Sequence, residues 1–365
     1  MTEDVIVTGW GLIWAGGSDP ADLFNEPQAG LSMHARFELF SEGLGTNGEG
    51  ALVVRMPGPD PSGIPGLKRP FPDRVTLAAI AAADLARASA HIEGATIDGD
   101  RAGIVANTCY GAAVTVERYL RSLLTEGPGH VSGITFARTV SNAMVGELAR
   151  RYQYRGPSSL LLGGSALGYA RDLLTDGKAD LILCVGVDIL SDYPGWCHHH
   201  AGMLDNGMIL GEVGAALVLE RAASARARGA YSGVRLLDYG ASFCPQAVQR
   251  ITDFTEVSIQ RSIAQALSRS EISGSSIDLV VSLDNGDRSL AAVEAAAARK
   301  LLNSALQVLA PKRLTGECFG ASEVLGAVVA AKYLSDKTQG CRYSLVNSGQ
   351  LGGAVSTMAF EGFNT

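Results

Sequence analysis

Seven consecutive uncharged residues, Leu181-Ile182-Leu183-Cys184-Val185-Gly186-Val187, are too apolar for a strand with one wet face. Such a run reads as a strand buried on both faces, which requires helices on either side. Comparable apolar runs occur at 5–9, 101–106, 160–162, 214–220, 234–239, 277–283, 344–347 and 354–360. Between them lie stretches that read as helices: 74–86, 115–125, 166–175, 254–268, 290–302 and 323–334. Strands alternating with helices of ten or more residues imply parallel sheets covered by helices. The strand–helix order occurs twice, which predicts a duplicated, layered α/β fold. The basic, alanine-rich stretch 221–230 is the expected seam, giving halves of 1–230 and 231–365.

Composition narrows the possible functions. Charged residues make up 18% of the 365, below the roughly 25% usual for a soluble domain. So sparse a charge implies much hidden surface, in a large core or against a partner. The formal charge of −7 leaves no basic excess to neutralise phosphates, which argues against a nucleic-acid surface. The sequence has no apolar run of about 18 residues, so no membrane-spanning helix is expected. Its start, Met1-Thr2-Glu3-Asp4, is acidic rather than basic and does not resemble a signal peptide, so a cytoplasmic location is expected. The six cysteines are scattered without a CxxC pair and read as small buried side chains.

Several ordered motifs resemble those of β-ketoacyl synthases. Gly156-Pro157-Ser158, an apolar strand, then Gly163-Gly164-Ser165-Ala166-Leu167-Gly168 is similar to the family's nucleophile segment. The opening Val5-Ile6-Val7-Thr8-Gly9-Trp10-Gly11 resembles its first strand and turn. The run from Gly211-Glu212-Val213-Gly214 to Glu220 resembles its GEGA strand, and Asn347-Ser348 with Gly352-Gly353 its C-terminal glycine-rich loop. The resemblance spans about residues 4–361. It implies a thiolase-like fold with duplicated βαβ halves in a layered α-β-α-β-α arrangement, in keeping with the repeat above.

The family's chemistry uses a cysteine ionised at a helix N-terminus, two histidines that donate to the developing charge, and a lysine. By resemblance, the nucleophile position falls on Ser165. The family's V-E-A-H-G-T-G-T stretch matches 280–287, placing Leu283 at the first histidine. The K-x-x-x-G-H stretch matches Lys312 to Glu317, placing Glu317 at the second while Lys312 is retained. A serine hydroxyl needs an adjacent general base. Leu283 takes no proton, and a carboxylate beside Lys312 is expected to form an ion pair with a lowered pKa. The expectation is therefore a degenerate, non-catalytic site that requires no cofactor.

Other candidate residues read more plainly. Cys197-His198-His199-His200 carries metal-binding side chains, but adjacent residues of one loop do not converge on one ion, so no metal site is expected. A solvent-facing loop or partner contact is expected there. Cys318 falls in the second-histidine segment and reads as packing, and the glycines near Asn347 lack the lysine of a phosphate loop.

The resemblance implies a role for a disabled member: the chain-length factor, or ketosynthase β subunit, of type II polyketide synthases. Such a subunit heterodimerises with a catalytic ketosynthase and shapes a tunnel for the chain delivered by an acyl carrier protein. The positions implied are Tyr110, Ala113 and Val114 for the tunnel, with Thr135 and Phe136 on the segment crossing the two-fold interface. Chain-length factors of aromatic systems carry Gln where this chain has Ser165, and are longer. That difference leans toward relatives serving reduced, linear polyene-type products. The competing expectation is a serine-dependent acyltransferase or atypical ketosynthase using Ser165.

Overall fold

In the computed structural model, which describes residues 3–24, 34–37, 51–93, 95, 97–230 and 233–363, the strand–helix order repeats. The first half contains strands β1 (Val5–Ile13), β2 (Ala102–Asn107), β3 (Ser158–Leu161), β4 (Leu181–Asp188) and β5 (Val213–Arg221). The second contains β6 (Val234–Phe243), β7 (Leu279–Val281), β8 (Gln307–Leu309), β9 (Tyr343–Gly349) and β10 (Ala354–Gly362). In space the first five follow the order β1-β5-β4-β2-β3, and the second five follow β6-β10-β9-β7-β8. Each strand of one half therefore has a counterpart in the other. The two sets meet where Val5 pairs with Leu236 and Ile6 with Arg235.

Helices complete the repeat: α1 (Arg74–Ser89), α2 (Ala113–Glu126), α3 (Ala143–Tyr152), α4 (Ala166–Thr175) and α5 (Asp192–His200), then α6 (Glu256–Ser270), α7 (Arg288–Arg299) and α8 (Ser322–Ser335). Three apolar clusters separate the layers. One packs α1 and α3 on the first sheet half, and a second packs α6 and α7 on the other. The third holds α4 and α8 between residues of both halves. This is an α-β-α-β-α stack, the thiolase-like fold. It explains why α8 carries so little charge: 12 of its residues, from Ser322 to Leu334, are buried.

Parallel pairing, expected throughout, holds only around β2 and β7. The sheet is mixed, because β5 and β10 run antiparallel to their neighbours. The β9–β10 link spans only residues 350–353, and a turn that short joins antiparallel strands without a crossover helix. Residues 221–230 are not a bare linker. Ala222–Ala227 forms a short helix, Ala222 and Ala225 pack on Ile6, and Arg228 Nε donates to buried Glu220 at 2.9 Å. The apolar run at 277–283 gives a strand only over Leu279–Val281. Helix α3, edge strand β8 and a small sheet of His34–Phe37, Ala51–Val54 and Leu210–Gly211 carried no signal strong enough to be read. Met1 and Thr2 lie outside the described residues. Among those described, no helix is long and apolar enough to cross a membrane.

The opening strand of each half is approached unusually closely by its helix. A Cβ on Gly11 of β1 would lie 2.1 Å from Ala82 O of α1, and one on Gly240 of β6 would lie 1.9 Å from Ser262 O of α6. Both clashes are with backbone, which cannot rotate away. Gly11→Ala and Gly240→Ala are each expected to destabilise the fold by about 1–3 kcal/mol through overpacking. Urea denaturation checks this, with Gly129→Ala as the control because nothing lies within 4 Å of that position.

Candidate functional site

Ser165 ends the turn from β3 into α4. Gly163 and Gly164 have φ of 86° and 97°, which side chains with a Cβ rarely adopt, so the tight turn depends on them. Asn107 at the end of β2 clamps this turn, donating from Nδ2 to Gly164 O at 3.2 Å and accepting from Gly163 N at 3.1 Å. Ser165 is the N-cap of α4, its Oγ accepting from Gly168 N at 3.0 Å. The C-terminal glycine-rich loop lies alongside, since a Cβ on Gly163 would stand 3.1 Å from Leu351 O.

Two of the other three family positions, Lys312 and Glu317, meet in one buried network. Lys312 Nζ donates to Glu317 Oε2 at 2.8 Å, and both side chains are buried. Asn285 Nδ2 donates to the same oxygen at 2.8 Å. The second oxygen accepts from Phe319 N at 2.9 Å and Ser322 Oγ at 2.8 Å. Glu317 thus has four donors and no free acceptor of consequence. Burial opposes its ionisation, but the Lys312 charge and these donors hold its pKa below the ordinary glutamate value. Leu283 is buried; its N–H donates to Glu294 Oε1 at 3.1 Å, which also accepts from Asn347 Nδ2 at 2.8 Å. Cys318 is fully buried and burial pushes its thiol up to about 12, a packing role rather than a reactive one.

Tyr110 reaches this network. Its ring meets Phe319 edge-on at 5.1 Å and His198 at 5.8 Å, and its hydroxyl hydrogen-bonds His198 Nε2. His198 in turn stacks on Phe319 at 4.9 Å. The loop carrying Tyr110 is held by buried Asp188, which accepts from Thr108 Oγ1, Cys109 N, Tyr110 N and Gly320 N. Ala113 and Val114 open α2 half-buried, with Val114 packed into the first-half core. Thr135 and Phe136 stand apart on a short helix, Gly133–Ala137; Phe136 is 60% exposed and touches Tyr119 at 5.5 Å.

The histidine run corrects the sequence reading. It lies on α5 rather than in a loop, and His198 is buried instead of facing solvent. Helical geometry turns successive side chains by about 100° each, so His198 turns inward while the more exposed His199 and His200 rings meet edge-on at 5.3 Å. Burial lowers the His198 pKa to about 4, leaving it neutral against Tyr110. Pro194 sits in the first turn of α5, where proline is tolerated. Sequence reasoning also missed Glu323, whose Oε2 accepts from Leu167 N in the first turn of α4 at 3.0 Å. The available signal was a lone carboxylate opening an apolar helix.

Removing Lys312 would strand a buried carboxylate. Lys312→Ala is expected to destabilise by about 3–5 kcal/mol near neutral pH. Because the folded-state pKa of Glu317 is depressed, its contribution is present above the ordinary glutamate value and lost as pH falls through the lower folded value. The gap between Lys312→Ala and the unsubstituted protein should therefore narrow in acid. Chemical denaturation at several pH values reads this directly.

No family model matches the chain. It is 28% identical over 360 residues to Streptomyces coelicolor β-ketoacyl synthase 2 of actinorhodin polyketide, covering 91% of this chain and 86% of the relative. It is 26% identical over 359 residues, with the same coverage, to the ketoacyl synthase β subunit of the Streptomyces glaucescens tetracenomycin polyketide synthase. Among solved structures, the ishigamide ketosynthase/chain length factor superposes with a TM-score of 0.83 at 21% identity, covering 100% of both chains. A β-ketoacyl synthase from Burkholderia phymatum superposes at 0.84 and 20%, covering 99% of this chain and 100% of that one. With its motifs in the expected order, a thiolase-like fold and nearly full-length likeness to polyketide β subunits, the chain belongs to the β-ketoacyl synthase family and is similar to members of its type II polyketide branch.

Proposed function

We propose that this chain is a non-catalytic chain-length factor that pairs with an active ketosynthase and limits the length of the chain delivered by an acyl carrier protein. The observation that carries the reading is the state of Glu317. With four donors, one of them the ion-paired Lys312, it has neither a proton to give nor a lone pair to spare at a position where the family uses histidine. Leu283 at the other histidine position is aliphatic. A helper for condensation must then come from another subunit.

The surface supports a partner. Among the described residues β3 pairs only with β2, leaving an edge strand at the end of the sheet. The same half exposes large apolar side chains, including Leu120, Leu124, Ile134, Phe136 and Val140, with Leu162 directly after β3. An open edge with apolar flanks favours strand pairing with another chain. In this reading half 1–230 supplies the edge, Phe136 and Thr135, and the tunnel positions Tyr110, Ala113 and Val114, while half 231–365 supplies the Lys312 network. Tyr110 closes the tunnel because its ring is clamped by His198 and Phe319. The expectation of a reduced, linear polyene-type product rests on Ser165 and on chain length alone.

A serine-dependent acyltransferase is the second reading, and Glu323 beside Ser165 is the group that would have to serve as its base. Co-expression with a partner ketosynthase, followed by size-exclusion chromatography, separates the proposals. The chain-length reading expects a one-to-one complex, weakened about tenfold or more by Phe136→Asp at the interface centre. A chain that elutes alone beside the ketosynthase contradicts it. In the reconstituted pair, Tyr110→Ala is expected to lengthen or broaden the product distribution read by mass spectrometry, whereas unchanged products would clear Tyr110 of this role.

A further inference from the structure

The helix end that Ser165 caps is already occupied from inside the protein. Glu323, in the first turn of α8, is fully buried. Its Oε2 accepts from Leu167 N at 3.0 Å and its Oε1 from Ser356 Oγ at 2.7 Å. Another amide of that turn, Gly168 N, goes to Ser165 Oγ at 3.0 Å. The amides of Leu167 and Gly168 in the first turn of α4 therefore have internal acceptors.

Those amides are the groups that would ionise a nucleophile at this position. A helix N-terminus carries about half a positive charge, and its free N–H groups stabilise a thiolate placed there. An ionised carboxylate at the same end offsets that charge and repels a second anion. A protonated one still engages Leu167 N. Burial also pushes the Glu323 pKa up, as expected of a carboxyl group placed there without full compensation.

We infer that Glu323 silences the nucleophile position independently of the loss of cysteine, so that a thiol restored at residue 165 would not become a reactive thiolate. This rests on the non-catalytic reading above and adds a positioning residue to it. The missing histidines remove proton transfer, whereas Glu323 removes the field that would make an anion.

The test compares Ser165→Cys alone with Ser165→Cys combined with Glu323→Gln, and with Glu323→Ala as a second variant. The introduced thiol is titrated by the ultraviolet thiolate absorbance difference from the unsubstituted protein, which needs no reagent access. Its iodoacetamide alkylation, located by peptide mass spectrometry, is followed in parallel. With Glu323 present, the thiol is expected to titrate at or above the free-cysteine value of about 8.5. Removing the carboxylate should lower it by about one to two pH units, raising alkylation near neutral pH about tenfold. An acidic thiol with Glu323 in place, or no shift in either double variant, overturns the inference. So does acylation of Ser165 in the unsubstituted protein that disappears in Glu323→Gln, since Glu323 would then be activating the position. The first two outcomes leave heterodimer formation untouched, so they refute the role of Glu323 without refuting the chain-length reading.

Discussion

The pair between Lys312 and Glu317 is the constraint on which the rest of the site depends. Both charges are buried, and an ion pair taken out of water persists only when the remaining valences are met. Here they are met by Asn285, the Phe319 amide and Ser322. Meeting them draws three segments together: the loop after β7, the turn before Glu317 and the start of α8. In the non-catalytic reading proposed above, the same saturation that keeps the charges inside also takes the carboxylate out of proton transfer, so stability and loss of that chemistry have one origin.

The fold explains why these groups are neighbours although they are far apart in sequence. Duplication puts α4 of the first half and α8 of the second in the shared central layer, packed within one apolar cluster. The N-terminus of α4 carries Ser165, and the N-terminus of α8 carries Ser322 and Glu323. Each half opens with a glycine-bearing strand that lets its outer helix settle on the backbone. Tyr110 joins from the loop after β2, fixed by Asp188 and the amide of Gly320. The result is a site assembled from both halves rather than from one loop.

Much of this was legible in the sequence, because uncharged strands such as β4 and the small-residue helix α1 leave little choice of environment. The nearly charge-free α8 read as a helix for the same reason. The ordered motifs pointed to Ser165, Leu283, Lys312 and Glu317, of which the structure brings Lys312 and Glu317 into direct contact. Features that depend on tertiary contact were not. Strand β8 is short and half exposed, so its pattern is weak. Helix α5 contains Pro194 and Gly195, and only packing shows that His198 turns inward against Tyr110. Glu323 looked like an ordinary helix-opening acid, and its meaning lies in an amide 156 residues earlier in the chain. The antiparallel course of β10 follows from its four-residue link to β9 rather than from strand composition.

The central claim is that this subunit holds no acyl group of its own. Its most direct measurement is the intact mass of the isolated protein after incubation with an acyl-loaded carrier protein. The account predicts an unmodified mass and no condensation product until a catalytic ketosynthase is added. A covalent acyl adduct that maps to Ser165 and vanishes in Ser165→Ala would contradict it.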